Sequence, residues 1–165
     1  MDKYYYFVAQ LPMLFFGRET NMSMDYFLAE AEKWLSAKDF RLLSQVDIND
    51  FSLAGKFPPT LLNYKRFESS LRDDIFNWRL AKQNNQDYKP VSFPVSVIKE
   101  GNPLEIELKL MKLKWDFIDE MEHEHHFDLG FIILYYLKLQ ILRRLFTFNK
   151  EKGLEKFQKL YEVNI

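Results

Sequence analysis

Between Leu129 and Phe148 the chain reads LGFIILYYLKLQILRRLFTF, and no other stretch limits the fold as tightly. Phe131, Ile132, Tyr135, Leu139, Leu142 and Phe146 fall on one side of a helix, while Ile133, Leu134, Leu137 and Ile141 occupy much of the rest. A helix apolar nearly all round must be surrounded by protein or by lipid. A membrane span needs about 18 or more almost charge-free residues, and Lys138, Arg143 and Arg144 interrupt this run. The spacing therefore predicts a core helix over about 129–146, the most buried element of its domain. Asp128 is placed to cap it.

A second helix leads into this one. Asn102 can accept from the free amides of the first turn, Pro103 suits N1 and Glu105 stands at N3. Leu104, Leu108, Met111, Trp115 and Ile118 then share a face. Ile106, Leu110, Leu113 and Phe117 widen it, so this helix, about 103–122, meets more than one neighbour. Two such helices joined by a short turn make an antiparallel hairpin. Its charge is uneven. Asp116, Asp119, Glu120, Glu122, Glu124 and Asp128 crowd the turn without a Lys or Arg, whereas Lys138, Arg143, Arg144, Lys150, Lys152, Lys156 and Lys159 follow it. Carboxylates at a helix C-terminus oppose the macrodipole by a few tenths of a kcal/mol each, so something else must favour their position.

The remaining segments also read as helical. Residues Tyr4 to Leu11 form a short helix or strand that Pro12 ends. Ser23 caps a helix with Phe27, Leu28, Ala31, Trp34 and Leu35 inward, and Ser36 with Asp39 starts another. Pro58 and Pro59 launch a long helix, about 60–84, with Tyr64, Phe67, Leu71, Ile75 and Trp78 on its inner face. Lys65, Arg66, Glu68, Arg72, Asp73, Asp74, Arg79 and Lys82 stand on the side expected to be solvated. Residues 85–101 are an irregular linker and the first place to look for a mobile loop; Asn149 would cap a last helix with Leu154, Phe157, Leu160 and Tyr161 inward. The expectation is an all-α bundle, one domain over residues 1–165, built on the hairpin and braced by the long helix.

Composition narrows function without assigning it. A net charge of -1 gives no electrostatic case for nucleic acid or an anionic membrane. With no cysteine there is no disulfide, thiolate metal site or cysteine nucleophile. The start MDKYYYFVAQLP lacks the pattern of a signal peptide, so a cytoplasmic location is expected. No phosphate-binding glycine motif or nucleophile elbow is present. The one cluster with ligating chemistry is Glu122-His123-Glu124-His125-His126. It reads first as a polar turn in which neighbouring carboxylates hold imidazoles; Glu122, His123 and His126 are weak metal candidates there, since the spacing does not match H-E-x-x-H. No cofactor is expected.

Several segments together carry a resemblance: YYYFVAQLPML, SMDYFLAEAEKWLSAKDFRLL, FESSLRDDIFNWRLAK and the long NPLEIELKLMKLKWDFIDEMEHEHHFDLGFIILYYLKLQILRRLFTFNKEKGLEKF. In order and spacing this set resembles an uncharacterised bacterial family encoded beside V-type (A/V-type) ATPase genes, whose members look like shortened relatives of the ATPase C subunit, called d in eukaryotes. The resemblance implies a non-enzymatic, all-helical subunit or assembly factor, cytoplasmic and peripheral to the inner membrane, whose partners are the central shaft and the rotor ring. The chain looks about half as long as a C subunit, and FPVSVIK stands where a helical lobe would be. Under that reading Glu120, Glu122, Glu124 and Asp128 form one docking surface, and Arg143 and Arg144 belong to a complementary basic one. Two other readings are a metal-dependent hydrolase or oxidase using the 122–126 cluster, and a free-standing helical adaptor.

Overall fold

In the computed structural model, which describes residues 3–147, seven helices and no strand occur among the described residues. They are α1 (Tyr5–Ala9), α2 (Met24–Trp34), α3 (Ala37–Ser44), α4 (Pro59–Gln83), α5 (Ser96–Lys99), α6 (Pro103–Glu122) and α7 (Leu129–Thr147). The fold is all-α, as expected. The expected last helix from Asn149 lies outside the described residues.

α7 is the axis of the bundle. Every residue from Ile132 to Leu142 is buried, Lys138 and Gln140 included, because α2, α3, α4 and α6 all pack against it. The apolar circumference read from the sequence is thus used on all sides. α6 divides its surface between two cores: Leu108, Met111, Trp115 and Ile118 join the main core around α7, while Ile106, Leu110 and Leu113 join a smaller one with Leu71, Phe93 and Ile98. Leu104, expected on the inner face, stays about one-third exposed at the first turn.

The predicted caps form. Ser23 Oγ accepts from the Tyr26 amide, Ser36 Oγ from that of Asp39, and Asn102 Oδ1 from that of Glu105 at 2.9 Å. α4 ends in a left-handed residue, Asn85 at φ 53, with the Gln86 amide returning to Ala81 O and that of Asn85 to Lys82 O. That pairing satisfies the last carbonyls of the helix.

Two inferences about exposure are corrected. Trp34 is 44% exposed and stacks loosely on the ring of Tyr6 at the surface, the planes 26° apart, because α2 ends with it and the chain turns away at Leu35. The polar face of α4 is solvated only in part: Arg66, Asp73, Arg79 and Lys82 are exposed as expected, whereas Lys65, Glu68 and Asp74 are buried. Irregular chain and a neighbouring helix cover them. Lys65 Nζ holds Asp50 Oδ2 at 3.2 Å and Ser52 O at 3.1 Å; Glu68 Oε1 takes Arg72 and Lys114. Asp74 accepts from the Tyr88 hydroxyl at 2.7 Å and from the amides of Val91 and Ser92 at 3.1 and 2.7 Å. Residues 85–101 are therefore pinned to α4 by one carboxylate, contain α5, and bury Phe93 and Ile98.

Candidate functional site

The turn between α6 and α7, where the expected acidic docking residues fall, is built around His125. Its Nδ1 is 2.8 Å from Asp128 Oδ2, and its Nε2 is 3.1 Å from Thr60 Oγ1 in the first turn of α4. A carboxylate only accepts, so Nδ1 carries a proton; in the neutral ring Nε2 then accepts from the Thr60 hydroxyl. The other oxygen of Asp128 takes the Phe131 amide at 2.9 Å, which caps α7 in the way the sequence suggests. Burial pushes the Asp128 carboxyl up, but the bonds from His125 and Phe131 outweigh it and hold it below the usual carboxylate range. One imidazole thus locks the turn to the starts of two helices.

Gly130 makes this closeness possible. A Cβ at that position would lie 2.6 Å from His125 Nδ1 and 2.9 Å from Thr60 Oγ1. From the other side, the Tyr4 amide donates to Phe127 O at 3.0 Å and the Tyr5 ring packs on Phe127. The corner is braced by α1, α4 and α7 together.

Below the turn, Lys138 from the centre of α7 reaches the end of α6. Its ammonium contacts Asp119 and lies 2.8 Å from Glu122 Oε2, with the Trp115 ring centroid 4.9 Å away. This explains the carboxylates that oppose the α6 dipole: a buried cation from the neighbouring helix compensates them. Burial still dominates at Glu122, pushing its carboxyl above the ordinary value despite Lys138.

The six expected docking residues thus fall into different roles. Glu122 and Asp128 are engaged internally. Glu120 and Glu124 are exposed and make no ion pair with a described residue. Arg143 and Arg144 lie some fifteen residues from Asp128 at the far end of α7, roughly 20 Å away. There Arg144 binds Glu107 Oε1 through Nε and Nη2 at 3.2 and 3.1 Å, and Arg143 Nη1 meets Met24 Sδ. Arg143 and Arg144 also border a cleft of about 500 Å³ with Tyr136 and Gln140.

The weak metal candidates do not converge. His123 and His126 point into solvent while Glu122 turns to Lys138, and among the described residues no three His, Asp or Glu side chains form a ligand group. The histidine held by a carboxylate is His125, which is the polar-turn arrangement expected of the cluster though not one of its metal candidates. Its i, i+3 spacing to Asp128 is the signal in the sequence that points to it.

Residues 91–163 match the profile of a family described as "Protein of unknown function (DUF2764)". The match spans the linker's end, α5 and the whole α6–α7 hairpin, so His125, Asp128, Gly130 and Lys138 lie within it while Thr60 and Tyr4 lie outside it. That description names no activity and no partner. No curated protein matches the chain, and no solved structure does. Among the described residues no helix is long and apolar enough to cross a membrane.

Proposed function

We propose that the chain is a non-enzymatic component or assembly factor of a bacterial V-type ATPase, similar to that enzyme's C subunit, standing between the central shaft and the membrane rotor ring. The reading takes its partner from the sequence resemblance. The observation that carries it is the braced corner of the hairpin. Glu120, in the last turn of α6, and Glu124, in the turn after it, are exposed beside a corner held by His125, Gly130 and Lys138. Carboxylates held on a rigid support suit recognition, since charges at such a surface set orientation and on-rate more than affinity. Lys138, Asp119, Glu122 and His125 hold helices together, which suits a coupling part. On this reading the protein is cytoplasmic and reaches the membrane only through the complex.

The test separates docking charges from supporting ones. Glu120→Lys with Glu124→Lys is expected to weaken co-sedimentation with the purified ATPase on the order of 10-fold at low salt, with unchanged thermal unfolding. Equal co-sedimentation of the variant and the wild type would remove the corner from the docking surface. Glu122→Lys is unsuitable for this purpose, because it places a second cation beside Lys138.

A further inference from the structure

A second surface is independent of the acidic corner and of the ATPase reading. Between α3, the start of α4 and the loop 45–57 lies a pocket of about 240 Å³. Leu42, Val46, Phe57 and Leu61 give it an apolar lining. Lys38, Arg41 and Lys56 stand at its edge, exposed and without an ion pair to any described residue. The fourth cation, Lys65, is already engaged: Asp50 neutralises it, Ser52 O accepts from it, and the Phe57 ring lies over it at 3.9 Å. Its task is to hold the loop that forms one wall. Burial contributes little at Asp50; the bonds from the Ser52 amide and Lys65 hold its carboxyl below the usual range, so the clamp persists across neutral pH.

This combination selects its ligand. Three exposed cations without an ion pair to any described residue make the rim favourable to a negatively charged ligand. The volume falls below the roughly 300–1,000 Å³ of cofactor pockets but admits one apolar side chain. A free inorganic anion would leave the apolar lining unused. We propose that this pocket is a docking site for an acidic peptide segment of a partner protein, one apolar side chain entering the pocket while flanking carboxylates meet Lys38, Arg41 and Lys56.

The experiment uses the full chain and a fluorescein-labelled peptide with one leucine flanked on each side by glutamates, read by anisotropy at low salt. Saturable binding below about 1 mM is expected, falling on the order of 10-fold when leucine becomes serine, and by a similar factor in the Lys38→Gln, Arg41→Gln, Lys56→Gln variant. These three side chains are exposed, so the variant is expected to keep the wild-type melting temperature; if it unfolds, the serine peptide on the wild-type protein carries the decision. Absence of saturable binding, binding indifferent to both changes, or equal competition by inorganic phosphate would overturn the proposal. A salt-sensitive dimer lost in the triple variant would overturn it in favour of a second copy of this chain.

Discussion

Lys138→Met is the most informative single change to the hairpin. Methionine keeps the apolar stem against Trp115 and removes only the ammonium. Breaking a fully buried pair destabilises by about 3–5 kcal/mol. Here the carboxylates are not fully buried, since the Asp119 side chain is 49% exposed and that of Glu122 is 20% exposed. Both regain water, so a loss of about 1–2 kcal/mol at neutral pH is expected, chiefly at Glu122. The pH dependence has a definite sign. The folded-state Glu122 carboxyl already sits above its ordinary value because of burial, and removing Lys138 moves it higher. A carboxylate raised in this way weakens the fold while ionised, and that penalty vanishes as pH falls through the folded-state value. The difference between variant and wild type should therefore shrink between about pH 7.5 and pH 4.5 in urea unfolding followed by circular dichroism. A penalty that is equal or larger at the acid end would refute the assignment to Glu122. Adding Glu122→Gln to the variant should restore part of the loss at neutral pH.

Other expectations follow from the buried polar contacts. Gln140 Oε1 accepts from the Ile48 amide at 2.9 Å and its Nε2 donates to Val46 O at 2.8 Å; Gln140→Leu should destabilise by about 1–3 kcal/mol and speed hydrogen exchange at Ile48. Burial raises the Asp74 carboxyl, but bonds from Ser92, Tyr88 and Val91 outweigh it and hold it low. Its support of residues 88–92 is present above the ordinary carboxylate value and lost as pH falls through the folded-state one. Exchange at the Val91 and Ser92 amides should accordingly accelerate below about pH 4, and Asp74→Ala should bring the same acceleration to neutral pH. Gly130→Ala forces a Cβ against His125 and Thr60; it should lower stability by about 1–3 kcal/mol and shift the His125 imidazole resonances.

The hairpin is legible because its signals are local. Asn102, Pro103 and Glu105 mark a start that needs no tertiary context, and the apolar circumference of α7 can be satisfied only by surrounding helices. What stays hidden depends on distant chain. Lys65, Glu68 and Asp74 look like a solvated stripe from their spacing, and only the loop 45–57, α6 and residues 88–92 convert them into buried anchors. The turn conceals its logic for a similar reason. Adjacent histidines suggest ligands by number, whereas the effective residue is the one that Thr60, far away in the chain, can reach over Gly130. Lys138 shows the reverse case. The uncompensated carboxylates of α6 pose a question in the sequence, and the answer lies on the opposite helix.

Gentle co-purification of the tagged chain from its own host, in low salt and mild detergent with every co-eluting protein identified, tests the proposed role most directly. The catalytic and shaft components of the ATPase are expected in fixed ratio with the chain. Elution of the chain alone, or with proteins unrelated to that enzyme, would contradict the role.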